Sequence, residues 1–377
     1  MQIIVNARFL TQKVTGTQRF AINISRELKK LRPETIFLAP PAILNNDLAA
    51  ELDVKIIGNS NYRIYRKLHL PANLLWEQID LSRWLKKHSN PPLLNLVNLA
   101  PIFYANNYIT VHDLAFLLYP EYFSHSFALL YKLVVPILAR KARHIFTVSD
   151  HSKRDLQRHL HVPIKKITTA YNAVDINSWN CHQSQPCPHP WPFILAVGAL
   201  EPRKNLARLI AAFLKLKDKN LRLVIVGDEN QEVFKQKSFP AQDGRFTPDE
   251  MQKIIFTGYL EDQQLSTLYS HAACFCYPSL YEGFGLPPLE AQAQGCPVIV
   301  SNRASLPEVF RKSALYCDPE NINDIKEKLG SVLDDDSLRQ SLISSGFDNL
   351  NRFRWKKSTA IIAETIIDKK NSFGNHG

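Results

Sequence analysis

The sequence predicts an α/β protein made of two doubly wound, Rossmann-like halves, and three observations carry the prediction. Short β-branched runs alternate with amphipathic stretches from end to end, the pattern of strand-helix units on parallel sheets. A proline-dense break near the middle separates two such series. The length of 377 residues allows two or three domains, each with a core of its own.

In the first series, apolar runs predict strands at 3–5, 35–38, 54–57, 93–97, 109–111 and 144–148. Helices are expected over 17–31, 74–87, 127–143 and 149–161, the last opened by Ser149 and Asp150 as capping residues. Residues 182–192 read HQSQPCPHPWP, and four prolines in eleven residues remove too many donors for a helix or a sheet ladder. This places a linker at 181–192, between a first domain of 1–180 and a second of 193–354. The pattern restarts with strands at 193–197, 223–226, 254–257, 274–277 and 297–300. Helices follow near 204–217, 262–270, 287–294, 322–333 and 337–351. A last helix, about 355–367, is too apolar for a free tail, so 355–377 is expected to return to the first domain.

With 45% hydrophobic and 21% charged residues the chain falls among folded globular proteins, not disordered ones. Its formal charge is +11, and all of it lies in one half. Residues 1–180 hold 23 lysines and arginines against 12 acids; the remainder holds 23 of each. A basic half beside a neutral one points to nucleic acid, an acidic membrane surface or a phosphorylated substrate, or else is a solvated face. No apolar run approaches the ~18–20 residues of a membrane span, and the best one, 127–139, is broken by Lys132 and Pro136. Ile3-Ile4-Val5 before Asn6 and Arg8 is too short for a signal-peptide core, so a cytoplasmic location is expected, with room for peripheral attachment at the inner membrane face. Six cysteines do not make a disulfide framework, and Cys181 and Cys187, with His182 and His189, lack metal-site spacing; no metal is expected.

The most informative segment is 277–300, YPSLYEGFGLPPLEAQAQGCPVIV. A strand runs into a loop carrying Glu282, Gly283 and Gly285, and a helix starting at Pro287 carries Glu290 in its first turn. The glycines let the backbone turn sharply and present N–H groups at a positive helix end, a site for an anion or for sugar oxygens. Either carboxylate alone reads equally well as a helix-dipole acid or a surface residue; the whole string points to a site. In AVGALEPRKN, 196–205, Arg203 and Lys204 stand at a helix entry, where adjacent cations match a diphosphate. Both loops belong at the carboxyl ends of strands, where doubly wound sheets bind ligands. His112, in Val111-His112-Asp113 at a strand end, reads as a base, an orienting group or a hydrogen-bonded core residue, and alone favours the last. Gly16, between the first strand and first helix, allows close approach of the backbone to a ligand. Neither G-x-G-x-x-G nor G-x4-G-K-[ST] occurs, so dinucleotide hydride transfer and P-loop chemistry lose their usual support.

At these residues the chain resembles the retaining glycosyltransferases of family 4, which have the GT-B architecture of two facing Rossmann-like domains. The matching strings run in order along nearly the whole chain: the glycine loop at Gly16, VHD at 111–113, VSDHSK at 148–153, YNAVD at 171–175, GALEPRKN at 198–205, VGD at 226–228 and the specific E-x7-E of Glu282 and Glu290. The resemblance implies a nucleotide-sugar donor on the second domain, a glycan or lipid-linked acceptor on the first, and reaction in the cleft. It assigns donor-sugar hydroxyls to Glu282 and the backbone of Gly283, Phe284, Gly285 and Leu286, and ribose hydroxyls to Glu290. Arg203 and Lys204 would meet the diphosphate, His112 the sugar, and Gly16 would let the first loop close over the donor. Departures occur at Ala199, where many members have Arg, and at Gly16 and Asn172-Ala173, where many have Gly-Gly and Asn-Gly.

The reading is a metal-independent hexosyltransferase. As diphosphate leaves an oxocarbenium-like sugar, preorganised positive groups lower the barrier, and Arg203 and Lys204 take the role of a metal. EPRKN at 201–205 and HDLAFLLYPEYF at 112–123 look most like bacterial mannosyltransferases using GDP-mannose. The alternatives are the same reaction with UDP-glucose or another nucleotide sugar, and an inactive sugar-nucleotide-binding partner of a glycan assembly complex. The basic half alone would suggest a nucleic-acid binder, but no nucleic-acid motif supports it.

Overall fold

The computed structural model describes residues 2–69, 71–175, 186–198, 201–216, 218–227 and 247–374. The chain divides into two compact units, residues 1–172 with 355–377, and residues 173–354.

The first unit holds seven strands: β1 (Ile4–Asn6), β2 (Ile36–Ala39), β3 (Val54–Ile56), β4 (Leu93–Asn95), β5 (Asn107–Thr110), β6 (His144–Thr147) and β7 (Ile167–Thr169). They pair in the order β3-β2-β1-β4-β5-β6-β7, all parallel. Val5 sits in register between Phe37 and Leu94, all three fully buried, because helices cover both faces of a parallel sheet. Helix Gly16–Leu31 buries Phe20, Ala21, Ile24 and Leu28, one apolar stripe. Helix Trp355–Gly374 packs against it: the Phe20 and Trp355 rings lie 6.0 Å apart, and Ser358 Oγ donates to the Tyr171 carbonyl at 2.6 Å. The C-terminal segment thus returns to the first unit, as its apolar content demands.

The second unit holds β8 (Phe193–Val197), β9 (Arg222–Val226), β10 (Ile254–Gly258), β11 (Cys274–Tyr277), β12 (Val298–Ser301) and β13 (Leu315–Cys317), in the order β10-β9-β8-β11-β12-β13, again all parallel. In both sheets the chain winds outward, then returns to the other side of its first strand. The direction reverses between β1 and β4 in one unit and between β8 and β11 in the other. At such a switch point the loops part and leave a crevice at the carboxyl ends of the strands.

Several elements differ from expectation. The helix expected over 74–87 is Ala72–Trp76 and Ser82–Lys87 joined by a π-helical turn, Glu77–Leu81, whose wider backbone carries the buried Glu77 and Asp80. The helix expected from 204 begins at Leu206, since Asn205 takes a left-handed conformation (φ 60°) that cuts off a separate 3-10 turn, Pro202–Lys204. The edge strands β7 (ITT) and β13 (LYC) lie outside the expected set, because each has a single aliphatic residue and so no apolar run to stand out. Of the linker, 181–185 lie outside the described residues, 186–192 form neither helix nor strand, and the boundary between the units falls at 172/173. Cys181 and His182 are likewise outside the described residues. Cys187, Cys274, Cys276, Cys296 and Cys317 are free thiols, the last four buried.

Candidate active site

The site in the second unit is built on the β8/β11 switch point. Gly198, the residue after β8, has φ 155°, and a β-carbon there would lie 3.3 Å from the Lys204 side chain. Its absence lets the lysine stem cross the strand end. Asn205 then ties three loops together, donating through Nδ2 to the carbonyls of Pro278 at 3.0 Å and Pro319 at 2.6 Å. Leu280 N–H adds a bond to the Arg203 carbonyl at 2.9 Å. Beneath them Ser301 Oγ, at the end of β12, donates to the Ser279 carbonyl, and Ser305 Oγ donates to the Glu282 carbonyl at 2.9 Å.

On this frame Glu282, 7% exposed, receives both cations. Lys204 Nζ donates to Oε1 at 2.8 Å, and Arg203 Nη1 lies 3.0 Å from Oε2. Lys204 also donates to the Tyr277 hydroxyl at 2.6 Å, with its ammonium 4.9 Å from the centre of that ring. Arg203 donates to the Tyr281 carbonyl and pairs with Glu201, each at 3.0 Å. Burial would raise the Glu282 pKa, yet Arg203 and Lys204 override it and hold the carboxyl at about 2. Burial pulls Lys204 down while Glu282 pulls it back up. Two cations and two carboxylates make a neutral cluster, so Arg203 and Lys204 are not the bare pair their adjacency suggested. Binding capacity remains: an ionised carboxylate has about four lone-pair sites and an ammonium three N–H groups. Among the described residues, Lys204 has two N–H groups engaged.

The helix that follows corrects one expectation. It starts at Leu286, so Glu290 is its fifth residue, beyond the first turn, where the helix dipole has little hold on it. Glu290 is buried and accepts from the Tyr269 hydroxyl at 3.4 Å. Pro287 and Pro288 supply no N–H, which confines the free amides of the helix end to Gly285 and Leu286. Gly285 has φ 98°, and a β-carbon would come within 2.7 Å of Leu306 Cδ2, so both backbone and space require glycine. Gly283 and Phe284 are buried in the same loop, the Phe284 ring lying edge-on to Phe353 at 5.3 Å.

The remaining predicted residues belong to the first unit. His112 follows β5 and is 7% exposed; its backbone N–H binds Asn98 Oδ1 and its Nε2 the Leu96 carbonyl, both at 3.0 Å. The ring lies edge-on to Phe20 at 5.0 Å, and burial lowers its pKa. With Nε2 donating, the neutral ring offers Nδ1 as an acceptor. Asp113 does not orient it; its Oδ1 accepts from Ala115 N–H at 3.0 Å. Gly16 is the exposed first residue of its helix, not a free loop, and Gln18 fastens the approach by accepting from Thr15 N–H at 3.2 Å and donating to Gln12 at 2.8 Å. Sequence reasoning gave no role to Tyr277, Asn205 or Ser305. Tyr277 stood at the head of the recognised string, but nothing in its spacing pointed to Lys204.

Two parallel-sheet Rossmann-like units make up a GT-B fold, and solved structures share it. Anabaena HepE, in complex with UDP and glucose, superposes with a TM-score of 0.73 at 17% identity, over 98% of this chain and 100% of that one. Sucrose-phosphate synthase from Thermosynechococcus elongatus gives 0.71 at 16%, over 98% and 99%. The sequence model described as Glycosyltransferase Family 4 matches residues 14–178, and that for Glycosyl transferases group 1 matches 177–348. Together they span residues 14–348, and the chain belongs to glycosyltransferase family 4. It is 29% identical to O-antigen chain mannosyltransferase B of Escherichia coli over 78% of this chain and 77% of that one. It is 29% identical to O-antigen chain mannosyltransferase RfbU of Salmonella typhimurium, over 57% and 58%, so the match spans little more than half of that relative.

Proposed function

We propose that this glycosyltransferase moves a mannosyl group from GDP-mannose, with retention and without a metal, to a hydroxyl of a glycan or lipid-linked acceptor. The observation that carries the proposal is the buried Arg203–Lys204–Glu282 cluster at the β8/β11 switch point. The mannosyltransferases among its relatives favour the sugar. In this reading the open N–H of Lys204, with Arg203, meets the diphosphate. Glu282 and the amides of Gly285 and Leu286, with the Gly283–Phe284 turn, take donor-sugar hydroxyls, and Glu290 takes those of the ribose. His112 Nδ1 accepts from the transferring sugar, and Gly16 admits the donor to close approach of the backbone. The bond from the anomeric carbon to the diphosphate breaks, the acceptor oxygen bonds to the same face, and its proton passes to the departing phosphate oxygen. Fixed positive groups stabilise the charge growing on that oxygen.

An anionic bilayer is the second partner in this reading. Among the described residues no helix is long and apolar enough to cross a membrane. Helix His125–Lys141 nevertheless exposes Leu129, Leu133 and Ile137 at four-residue spacing, with Arg140 and Lys141 exposed at its end. Apolar side chains beside cations are what a bilayer surface holds.

The donor is tested by calorimetry and turnover with GDP-mannose and UDP-glucose, supplying a simple mannoside as acceptor. GDP-mannose is expected to bind more tightly and to be consumed with release of GDP. Preferential turnover of UDP-glucose overturns the donor assignment.

A further inference from the structure

We infer that Arg8, held in place by Glu77 at the β1/β4 switch point of the first unit, binds the hydroxyls of the acceptor saccharide. The inference rests on the glycosyl-transfer reading above and deepens it by naming an acceptor contact.

β1 ends at Asn6 and β4 at Asn95, which are partners in register and fully buried. Asn6 Nδ2 donates to Asn95 Oδ1 at 2.9 Å and to Glu77 Oε1 at 2.6 Å. Arg8, two residues past the end of β1, donates through Nε to the same Glu77 oxygen at 3.2 Å. The Arg8 side chain is 6% exposed and that of Glu77 is not exposed at all. Glu77 enters from the π-helical turn, an irregularity found often at functional sites.

Two features make the pair more than packing. A buried guanidinium and carboxylate lose hydration that an apolar pair of the same size would not, so stability alone is poor grounds for keeping them. The pair is also incomplete: Glu77 Oε2 is buried with no hydrogen-bond partner among the described residues. The terminal N–H groups of Arg8 likewise meet no partner among the described residues, where its contacts run through Nε, its backbone N–H and its carbonyl. An oriented fork of donors therefore stands at the point where doubly wound sheets bind ligands. The second unit puts its own buried ion cluster at the corresponding point.

Charge selects the ligand class. Arg8 is a single cation already paired with Glu77 and offers a diphosphate less than the two adjacent cations, Arg203 and Lys204, of the second unit. A neutral pair with open guanidinium N–H groups suits vicinal hydroxyls, which accept from the fork. Arg8 is then the contact residue and Glu77 the positioning residue that fixes the plane of the guanidinium.

The test uses the full chain with methyl α-D-mannopyranoside as probe. Its KM is measured with GDP-mannose, and its binding separately by saturation-transfer NMR with GDP present and no donor. Arg8→Lys and Arg8→Gln are expected to raise the KM about tenfold or more, as loss of a charge-assisted contact does, and to abolish the NMR signal. GDP affinity by calorimetry should stay within about twofold, since GDP belongs to the other unit. Glu77→Gln should raise the KM less and leave GDP affinity alone. Because breaking a buried pair can unfold a protein, Arg8→Met combined with Glu77→Leu removes both charges together and should keep the fold while losing the probe. If GDP-mannose is not the donor, the transfer arm fails but the NMR arm still reports on Arg8. An unchanged NMR signal in the folded double variant, no signal in the wild type, or a loss of GDP affinity in Arg8→Gln each overturns the inference.

Discussion

The two switch points solve the same topological problem with different chemistry. At β8/β11, two cations and two carboxylates converge within a loop and a 3-10 turn, and Gly198 clears space for the Lys204 stem. At β1/β4 one arginine and one glutamate sit among asparagines, and the glutamate arrives from a distant helix. The first arrangement is dense in charge and has capacity left for a diphosphate. The β1/β4 pair holds a single cation and leaves a directional fork, suited to hydroxyls. A strand order that reverses thus supplies a crevice, and the residues that fill it decide which chemistry it can offer a ligand.

The sharpest way to break this division is to remove Glu282. Glu282→Gln should lower turnover by ~100-fold or more, since one preorganised contact to the reacting group carries ~2.7–4 kcal/mol. It also strands the buried Lys204, while Arg203 keeps Glu201, so the variant should lose about 3–5 kcal/mol of stability, visible in a denaturant melt. If Glu77→Gln costs as much turnover, the two sites are not distinct in role. The carboxyl of Glu282 is held at about 2 against an ordinary 4.5. A depressed folded pKa contributes stability that is complete above 4.5 and is lost as the pH falls toward 2. Acid melts between those values should therefore destabilise the wild type more steeply than Glu282→Gln.

The same contrast explains what could be read from the sequence. The second site was legible because its parts are local: Glu282, Gly283, Gly285 and Glu290 fall within nine residues, and Arg203 and Lys204 are adjacent. Glycine and proline punctuate that string and betray its turn. What it hid was pairing across 78 residues, which makes Glu282 the counter-ion of Lys204. The first site was invisible, because Arg8 and Glu77 lie 69 residues apart and each alone reads as a surface charge. The fold followed from alternating patterns wherever strands were buried on both faces. It failed at β7 and β13, and at Asn205, a left-handed residue whose side chain bonds to the distant carbonyls of Pro278 and Pro319.

A smaller effect sharpens the donor side. Lys204→Ala removes one charge-assisted donor and leaves Glu282 paired with Arg203. The Kd for GDP and the KM for GDP-mannose should rise together by about tenfold, the equivalent of ~1.5 kcal/mol. The KM for the acceptor probe should not move, the mirror image of Arg8→Gln. Unchanged GDP affinity in isothermal calorimetry would move the diphosphate away from Lys204.

The smallest effect concerns the surface rather than either crevice. The whole excess of +11 falls within residues 1–180, and the rest of the chain is balanced. Each Lys or Arg near an anionic bilayer contributes about 1 kcal/mol, and the attraction fades beyond a Debye length of ~8 Å at physiological salt. Charge alone would make binding vanish as salt rises. The exposed Leu129, Leu133 and Ile137 add an apolar component that salt does not screen. Sedimentation with anionic vesicles should therefore recover the protein at low salt, retain part of it at high salt, and recover little with neutral vesicles. Leu133→Glu and Ile137→Glu should remove the salt-resistant part while leaving transfer to a soluble mannoside unchanged, because neither residue belongs to a switch point. Equal recovery on neutral and anionic vesicles at low salt would reduce the basic half to a solvated face, and the acceptor would then have to reach the first unit from solution.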